Sequence, residues 1–138
     1  MEFSYDIAGG DFSRAGAASS EVKKILKQLN VELAVIKRVV VALYEAEVNV
    51  VAHAADGVMQ VTLDSASIEV VIRDRGPGIP DIALAMQEGY STASPRVREM
   101  GFGAGMGLPN IKRNCDSLDI ESTVGVGTTV RMVTFFNR

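Results

Sequence analysis

A long apolar segment, residues 31–55, constrains the fold of this chain more strongly than any other stretch. Its apolar residues recur three and four positions apart. This spacing predicts one helix, although three successive valines within it would also suit a strand. Two apolar stripes lie side by side on that helix, so the rest of the chain must cover most of its surface. The stripes are Ile36, Val39, Leu43, Ala46 and Val50, and Val40, Tyr44, Val48 and Val51.

Two polar side chains interrupt this apolar helix. Glu45 and Asn49 are four residues apart, so they lie one turn from each other on the same face. A glutamate is rarely buried without a purpose or a partner. Two interpretations are open: a functional pair facing inward, or a solvent-facing edge on which Glu45 pairs with a basic residue such as Arg38. His53, one turn further on, is expected to be a structural residue at the helix end.

Composition narrows the function classes. The chain has 138 residues, of which 47% are hydrophobic, and its net charge is −3. This predicts a single domain, 1–138, with a real core, and it offers no electrostatic argument for nucleic acid or an anionic membrane as partner. One cysteine, Cys115, excludes an internal disulfide, and we expect it to be buried. Without a signal-peptide pattern or a membrane-spanning run, we expect a cytoplasmic protein.

Short strands and helices surround the long helix in a fixed order. Predicted strands cover residues 3–8, 58–63, 68–73, 118–122 and 128–136, and further helices run to about residue 28 and over 82–88 and 108–115. Asp11 and Asn30 are the expected N-caps of the first two helices. The last four strands form two hairpins, which favour antiparallel pairing. The order predicts an α+β two-layer sandwich, with a mixed, mainly antiparallel sheet and helices on one face.

An acid follows the second strand of the first hairpin. Asp74 has the parity of the apolar face of residues 68–73, so its side chain should point toward the helices where the strand ends. A carboxylate there needs hydrogen-bond donors, which come either from the following turn or from a ligand. In the last strand, Thr128 shares the inward face if Arg131 faces water.

A glycine run precedes the last short helix. Residues 101–112 read GFGAGMGLPNIK, and glycines that alternate in this way can point backbone N–H groups at one anion, most often phosphate. Taken alone, the run is also compatible with a floppy surface loop. The irregular segment 90–105 predicts a mobile lid over this site, on which Arg96 and Arg98 are ordinary solvated charges. The chain has no Gly-Lys-Ser/Thr and no βαβ alternation, which argues against a P-loop or dinucleotide fold.

Three motifs and a Gly-Thr-Thr now stand in order: EAEVN at 45–49, DRGPG at 74–78, GFGAGMG at 101–107 and GTT at 127–129. This set resembles the GHKL ATPases, which include gyrase, heat-shock chaperone and histidine-kinase ATPases. Within that group it is most similar to the bacterial anti-sigma-factor and switch-protein serine/threonine kinases. The resemblance covers nearly the whole chain. It implies an ATP-dependent protein kinase of a partner-switching module that phosphorylates a small antagonist protein.

The resemblance also implies roles at the end of the site that would hold phosphate. Asn49 matches the asparagine that holds Mg²⁺ against the triphosphate, and a hard cation suits an amide oxygen. Glu45 matches the general base that accepts the proton of the attacking hydroxyl. Glu47 is a second acid two residues away that should face elsewhere on the helix, and which of the two carboxylates acts stays open at this point. The matching glycines of the phosphate lid are Gly103, Gly105 and Gly107.

At the other end of the site, the resemblance implies recognition of a base. Asp74 matches the aspartate that accepts a hydrogen bond from the adenine amino group, and Thr128 matches a threonine near the same edge. Gly76 and Gly78 match glycines that let the chain pass the base. ATP and Mg²⁺ are thus the implied cofactors.

Two other functions stay open beside the kinase. One is a non-enzymatic, nucleotide-gated module that sequesters a sigma factor or switch protein. The other is a detached histidine-kinase catalytic domain, which is disfavoured because no helix with a phosphoacceptor histidine precedes the motifs. Retention of Glu45 favours the kinase, since a pure binding module has no need of a base. The resemblance further implies a homodimer.

Overall fold

The computed structural model describes residues 1–87 and 107–136. The strands are β1 (Glu2–Ala8), β2 (Asp56–Leu63), β3 (Ser67–Arg75), β4 (Ser117–Thr123) and β5 (Gly127–Phe135). The helices are α1 (Ala17–Gln28), α2 (Leu33–His53), α3 (Ile82–Ala85) and α4 (Gly107–Arg113), with a short 3-10 turn at Phe12–Arg14. The predicted segment 90–105, with Arg96, Arg98, Gly103 and Gly105, lies outside the described residues.

The five strands form one open sheet in the order β1-β2-β3-β5-β4. The predicted α+β architecture is confirmed, but every strand pairing among the described residues is antiparallel, so the sheet there is not mixed. Because β5 pairs antiparallel with β3, the end of β3 and the start of β5 lie side by side at one end of the sheet. This topology brings Asp74 beside Thr128.

The long helix α2 lies at the centre of the helical layer. It packs against α1, α4 and the inner face of the sheet. Most residues of its apolar stripes are buried as predicted, and Leu43 has no exposed surface, but Tyr44 is 40% exposed. Full burial of a leucine side chain stabilises a fold by roughly 1.5–3 kcal/mol, so this helix anchors the core. Cys115 is also buried among core residues, as expected.

The turn between α1 and α2 corrects the expectation for Asn30. This residue ends α1 instead of capping α2, because its backbone adopts the left-handed conformation with φ of 58°. Its N–H donates to the Lys27 carbonyl over 3.1 Å, and the next N–H, of Val31, donates to Leu26 over 3.1 Å. This pair of bonds is a Schellman motif, which asparagine tolerates because it enters the left-handed region readily. The next helix, α2, therefore begins later, after Glu32.

The start of α1 corrects the expectation for Asp11. That residue precedes the 3-10 turn, where its carboxylate accepts from the Ser13 hydroxyl over 2.6 Å. The helix itself begins at Ala17, after Gly16, whose φ is 91°. A local pattern suggested a local cap, whereas the cap comes from Glu47 on α2. At α3 the cap is local, since the Asp81 carboxylate accepts from the Leu84 N–H over 3.0 Å.

No helix within residues 1–87 and 107–136 combines the length and apolar character needed to cross a bilayer.

Candidate functional site

The predicted site residues that the structure describes lie in one region of the molecule. It is bordered by the second half of α2, the end of β3 with the loop after it, and the start of α4. We call this region the cleft. Glu45 and Asn49 project from α2, Gly107 begins α4, and Asp74 lies at the end of β3.

Glu45 faces α4. Its carboxylate accepts a hydrogen bond of 3.3 Å from the side-chain amide of Asn110, and the residue is half-buried. Arg38 instead pairs with Asp116, with 3.4 Å between their charged atoms. The alternative in which Glu45 pairs with Arg38 on a solvent-facing edge is therefore wrong. A single long bond from a neutral amide leaves most of the carboxylate's acceptor capacity for something else, as far as the described residues show.

Asn49 lies against the start of α4. A Cβ atom placed on Gly107 would come within 3.1 Å of Asn49 Oδ1 and 3.2 Å of its Nδ2. Such distances are tighter than ordinary side-chain packing, so glycine at position 107 lets the backbone approach this amide. Gly107, the last glycine of the run, therefore lies next to the helix face that carries Glu45 and Asn49.

Glu47 points away from the cleft and is 2% exposed. One of its oxygens accepts from the N–H groups of Gly16, at 3.0 Å, and Ala18, at 3.3 Å. The other accepts from both the N–H and the hydroxyl of Ser19, at 2.9 and 2.7 Å. Four donors at the start of α1 thus satisfy this carboxylate, and it in turn caps that helix. Of the two acids, Glu47 is a structural residue.

Asp74 lies at the opposite end of the cleft. Its Oδ1 accepts from the Thr128 N–H over 3.0 Å. Loss of water around it raises the pKa of this carboxyl, while the Thr128 N–H and the nearby His53 act in the opposite direction. Burial lowers the pKa of His53, which ends α2, and the charge of Asp74 partly offsets this. Burial is the main cause of both pKa shifts, because it removes water from the charged forms.

The loop after Asp74 passes close to its neighbours at two glycines. A Cβ on Gly76 would lie 3.1 Å from Ala54 at the end of α2 and 3.3 Å from Asp74 Oδ1. Gly78 has a φ of 76°, and its Cβ would meet the Thr123 carbonyl oxygen at 2.5 Å. At Gly78, the constraint therefore comes from the turn between β4 and β5.

That turn is bound to the same loop. The Gly76 N–H donates to the Val126 carbonyl over 3.2 Å, and the Gly125 N–H donates to the Pro77 carbonyl over 2.9 Å. These two backbone bonds fix the loop beside Asp74 in place.

Sequence reasoning missed two residues here, Asn110 and Ser122. Nothing in a short helix singles out Asn110, whose partner lies 65 positions earlier. Ser122 could have been found, because it alternates with the inward-facing Leu118 and Ile120 on β4 and therefore shares the face of Thr128. Its hydroxyl lies 2.8 Å from that of Thr128.

The site can supply hydrogen-bond acceptors at both ends and an amide oxygen between them. Within the described ranges, no group of three or more His, Cys, Asp or Glu side chains could hold a metal ion by itself. A hard cation here would need most of its oxygen ligands from a bound molecule and water, and Mg²⁺ is usually coordinated in this way.

Comparison with known proteins shows the family to which the chain is similar. The model of the histidine kinase-like ATPase domain matches residues 11–134. Serine/threonine-protein kinase RsbT of Bacillus subtilis (strain 168) is 28% identical over 123 residues, which is 85% of each chain. An anti-sigma F factor of Caldanaerobacter subterraneus is 32% identical over 127 residues, or 88% of this chain and 85% of that one.

Solved structures show the same fold. The structure of the RsbU and RsbW domains of Rv1364c from Mycobacterium tuberculosis superposes with a TM-score of 0.65 at 16% identity. The match covers 97% of the present chain and 32% of that longer one. A mycobacterial sensor histidine kinase, MprB, gives a TM-score of 0.56, also at 16% identity. With the family model covering nearly the whole length, the chain belongs to the family of histidine kinase-like ATPase domains.

Proposed function

We propose that this protein is an ATP-dependent serine/threonine protein kinase of a partner-switching regulatory module. The observation that carries the proposal is that two acids on α2 have different hydrogen-bond partners. The Glu47 carboxylate accepts hydrogen bonds from the start of α1, whereas Glu45 faces the cleft one turn before Asn49. A carboxylate with acceptor capacity left beside a phosphate site suits a general base for phosphoryl transfer to a hydroxyl.

The remaining residues of the cleft bind and orient the nucleotide in this proposal. Asp74 accepts a hydrogen bond from an exocyclic amine of the base, and Thr128 lies beside it. Gly76 and Gly78 keep the neighbouring loop close, and Gly107 brings the start of α4 to Asn49. The amide oxygen of Asn49 would hold Mg²⁺, which neutralises charge on the phosphates when it is bound.

The proposed partners follow from the names of the relatives. RsbT is named a serine/threonine-protein kinase and other relatives are named anti-sigma F factors. We therefore propose that the chain acts as one domain on a small antagonist protein and also binds a sigma factor. We further propose that it works in the cytoplasm and as a homodimer.

The proposal is tested by phosphotransfer and by the chemistry of the product. The purified protein is incubated with labelled ATP, Mg²⁺ and an extract of its host, and proteins that it retains are mapped for phosphorylated residues. We expect label on serine or threonine of a small protein, in a form that survives acid. Glu45→Gln should retain ATP binding and produce no label.

Other outcomes would contradict the proposal in different ways. Acid-labile label on histidine would indicate a detached histidine-kinase domain. ATP-dependent retention of a partner that never becomes labelled would indicate a binding module without kinase activity. If calorimetry detects no ATP binding, the cleft is not a nucleotide site.

A further inference from the structure

The side-chain amide of Asn110 has a charged partner on each side. Its Nδ2 donates to Glu45 Oε1 over 3.3 Å, and its Oδ1 accepts from the Arg113 guanidinium over 3.2 Å. The amide therefore lies between the cleft acid of α2 and a cation one turn further along α4. None of the sequence motifs gives Asn110 a role, so its function has to be inferred from these contacts.

The two partners determine which way the amide of Asn110 points. An arginine side chain only donates hydrogen bonds, so the amide atom that faces Arg113 is the oxygen. A carboxylate that acts as a base is ionised and only accepts, so the amide atom that faces Glu45 is the nitrogen. The rotated amide would set donor against donor and acceptor against acceptor. Both contacts thus require the same orientation, in which Asn110 presents a donor to the acid.

Asn110 lies on a helix that is packed into the core. Helix α4 contacts α2, and its residues Leu108, Pro109 and Ile111 are buried. The backbone carbonyl of Asn110 also accepts from the Asn114 side-chain amide over 2.8 Å. A supporting side chain positions a functional group well only when it is itself held in place, and Asn110 meets this condition.

Glu45 needs such support to act at one defined point. A glutamate has several rotatable torsions, so an unsupported side chain can place its carboxylate in many positions. The bond from Asn110 restrains one oxygen, Oε1, and residues 1–87 and 107–136 provide no second hydrogen bond to this carboxylate. The other oxygen, Oε2, is therefore left to accept a proton from a hydroxyl.

We propose that Asn110 is a positioning residue that holds the Glu45 carboxylate for proton transfer, and that Arg113 keeps the Asn110 amide in its donating orientation. This inference rests on the proposed role of Glu45 as a general base. Orientation of the reacting groups lowers the barrier, and a displacement of about 1 Å can cost about 10²-fold in rate. Because Asn110 acts through Glu45, it should affect phosphotransfer and leave the affinity for ATP unchanged.

The first test detects the contact without any activity. In the nuclear magnetic resonance spectrum of the labelled protein, the Asn110 side-chain amide signals are assigned by their loss in Asn110→Leu. We expect both Glu45→Gln and Arg113→Met to shift these signals, since each replaces a charged partner of the amide. Lys112→Met removes a neighbouring exposed cation and is the matched control, which should leave the signals nearly unchanged. Signals that do not respond to Glu45→Gln would overturn the inference.

The second test measures single-turnover phosphotransfer at saturating ATP, with the small protein that becomes labelled in the host extract as acceptor. Asn110→Leu keeps a similar volume without the hydrogen bonds, and we expect it to be about tenfold slower, with an unchanged dissociation constant for ATP. Asn110→Asp should be slower still, because two carboxylates then face each other. Arg113→Met should also be slower, and Arg113→Lys, which keeps a cationic donor, should recover most of the rate. Since Arg113 is exposed, its variants test the same contact if Asn110→Leu fails to fold.

Three other outcomes separate the inference from the proposed function. A purely steric role for Asn110 predicts wild-type rates in Asn110→Leu and Asn110→Asp, and that result would overturn the inference alone. Equal losses in rate and in ATP affinity would do the same, because they would indicate that α4 is generally disturbed. If the wild type labels no protein, or if Glu45→Gln labels as fast as the wild type, the proposed function fails and the inference fails with it.

Discussion

The two acids of α2 lie two residues apart in opposite surroundings. Glu47 lies in a closed contact, the anchor, formed with residues 16–19 at the start of α1, where four protein donors reach its carboxylate. Glu45 lies in the cleft, where the described residues offer it one long bond from Asn110. One acid is satisfied by the fold itself, and the other is held in place with its acceptors largely unused.

The comparison shows how one helix serves stability and function at once. Residues two apart on a helix project about 200° from each other, so a two-residue shift is enough to reach a different neighbour. The anchor positions α2 against α1, and Tyr44 contributes, since a Cβ on Gly16 would meet its ring at 2.9 Å. With α1 holding one side of α2, the other side can present groups that residues 1–87 and 107–136 leave largely unsatisfied.

Loss of the cleft acid should have the largest effect. Glu45→Ala is expected to reduce phosphotransfer about 10²–10⁴-fold, the usual contribution of a general base, with little change in stability. The measurement is the rate of phosphorylation at saturating ATP, with calorimetry as a check that ATP still binds. If ATP binding disappears as well, Glu45 contacts the ligand and does not serve only as a base.

Loss of the anchor acid should instead destabilise the fold. Glu47→Ala leaves four donors buried without an acceptor, and we expect a loss of about 3 kcal/mol in the free energy of unfolding, measured in urea. Glu47→Gln keeps one oxygen acceptor and provides a folded variant if the alanine protein fails to fold. Glu21→Ala, at an exposed acid of α1, is the control and should change stability by less than about 0.5 kcal/mol. If Glu47→Gln is stable yet inactive while Glu45→Ala is active, then Glu47 and not Glu45 is the functional acid.

The acid at the other end of the cleft should affect binding and not folding. Asp74→Asn presents an amide in place of the charged acceptor, and we expect ATP binding to weaken by about 1.5–3 kcal/mol, the range for a hydrogen bond to a charged group. Calorimetry with ATP gives the affinity, and a thermal melt without nucleotide gives the stability. Unchanged affinity would remove Asp74 from the base site.

The smallest expected effect is a pH dependence at the same end. Burial lowers the pKa of His53 below its ordinary 6.5. Between the lowered pKa and pH 6.5, the native state therefore binds fewer protons than the unfolded chain. Stability from this source is complete above pH 6.5 and is lost as the pH falls through the lowered pKa. Urea unfolding on both sides of 6.5 should show this loss in the wild type and less of it in His53→Gln. Because the chain has a single histidine, an equal loss in both proteins would show that another group titrates.

Much of the fold was predictable because its signals are local. The apolar periodicity of α2, the strand alternation and the hairpin turns each depend on neighbours within a few residues, and all of them appear in the structure. The cap of α1 was not predictable in this way. Asp11 is a good local candidate, but the start of α1 lies next to Glu47, 31 positions beyond Gly16. The Glu47 carboxylate reaches the donors at the start of α1, whereas the Asp11 carboxylate binds the Ser13 hydroxyl in the preceding 3-10 turn.

By itself, the sequence determined which polar residues share a face. Glu45 and Asn49 lie one turn apart because the helix repeats every 3.6 residues, and Asp74 and Thr128 point inward because strands alternate. Only the tertiary structure decided which of these groups the protein satisfies. Docking of α1 engages Glu47, the register of β4 on β5 brings Ser122 to Thr128, and the approach of α4 brings Asn110 to Glu45. Hydrogen bonds act over about 3 Å, so their partners depend on how distant segments pack and not on the order of residues along the chain.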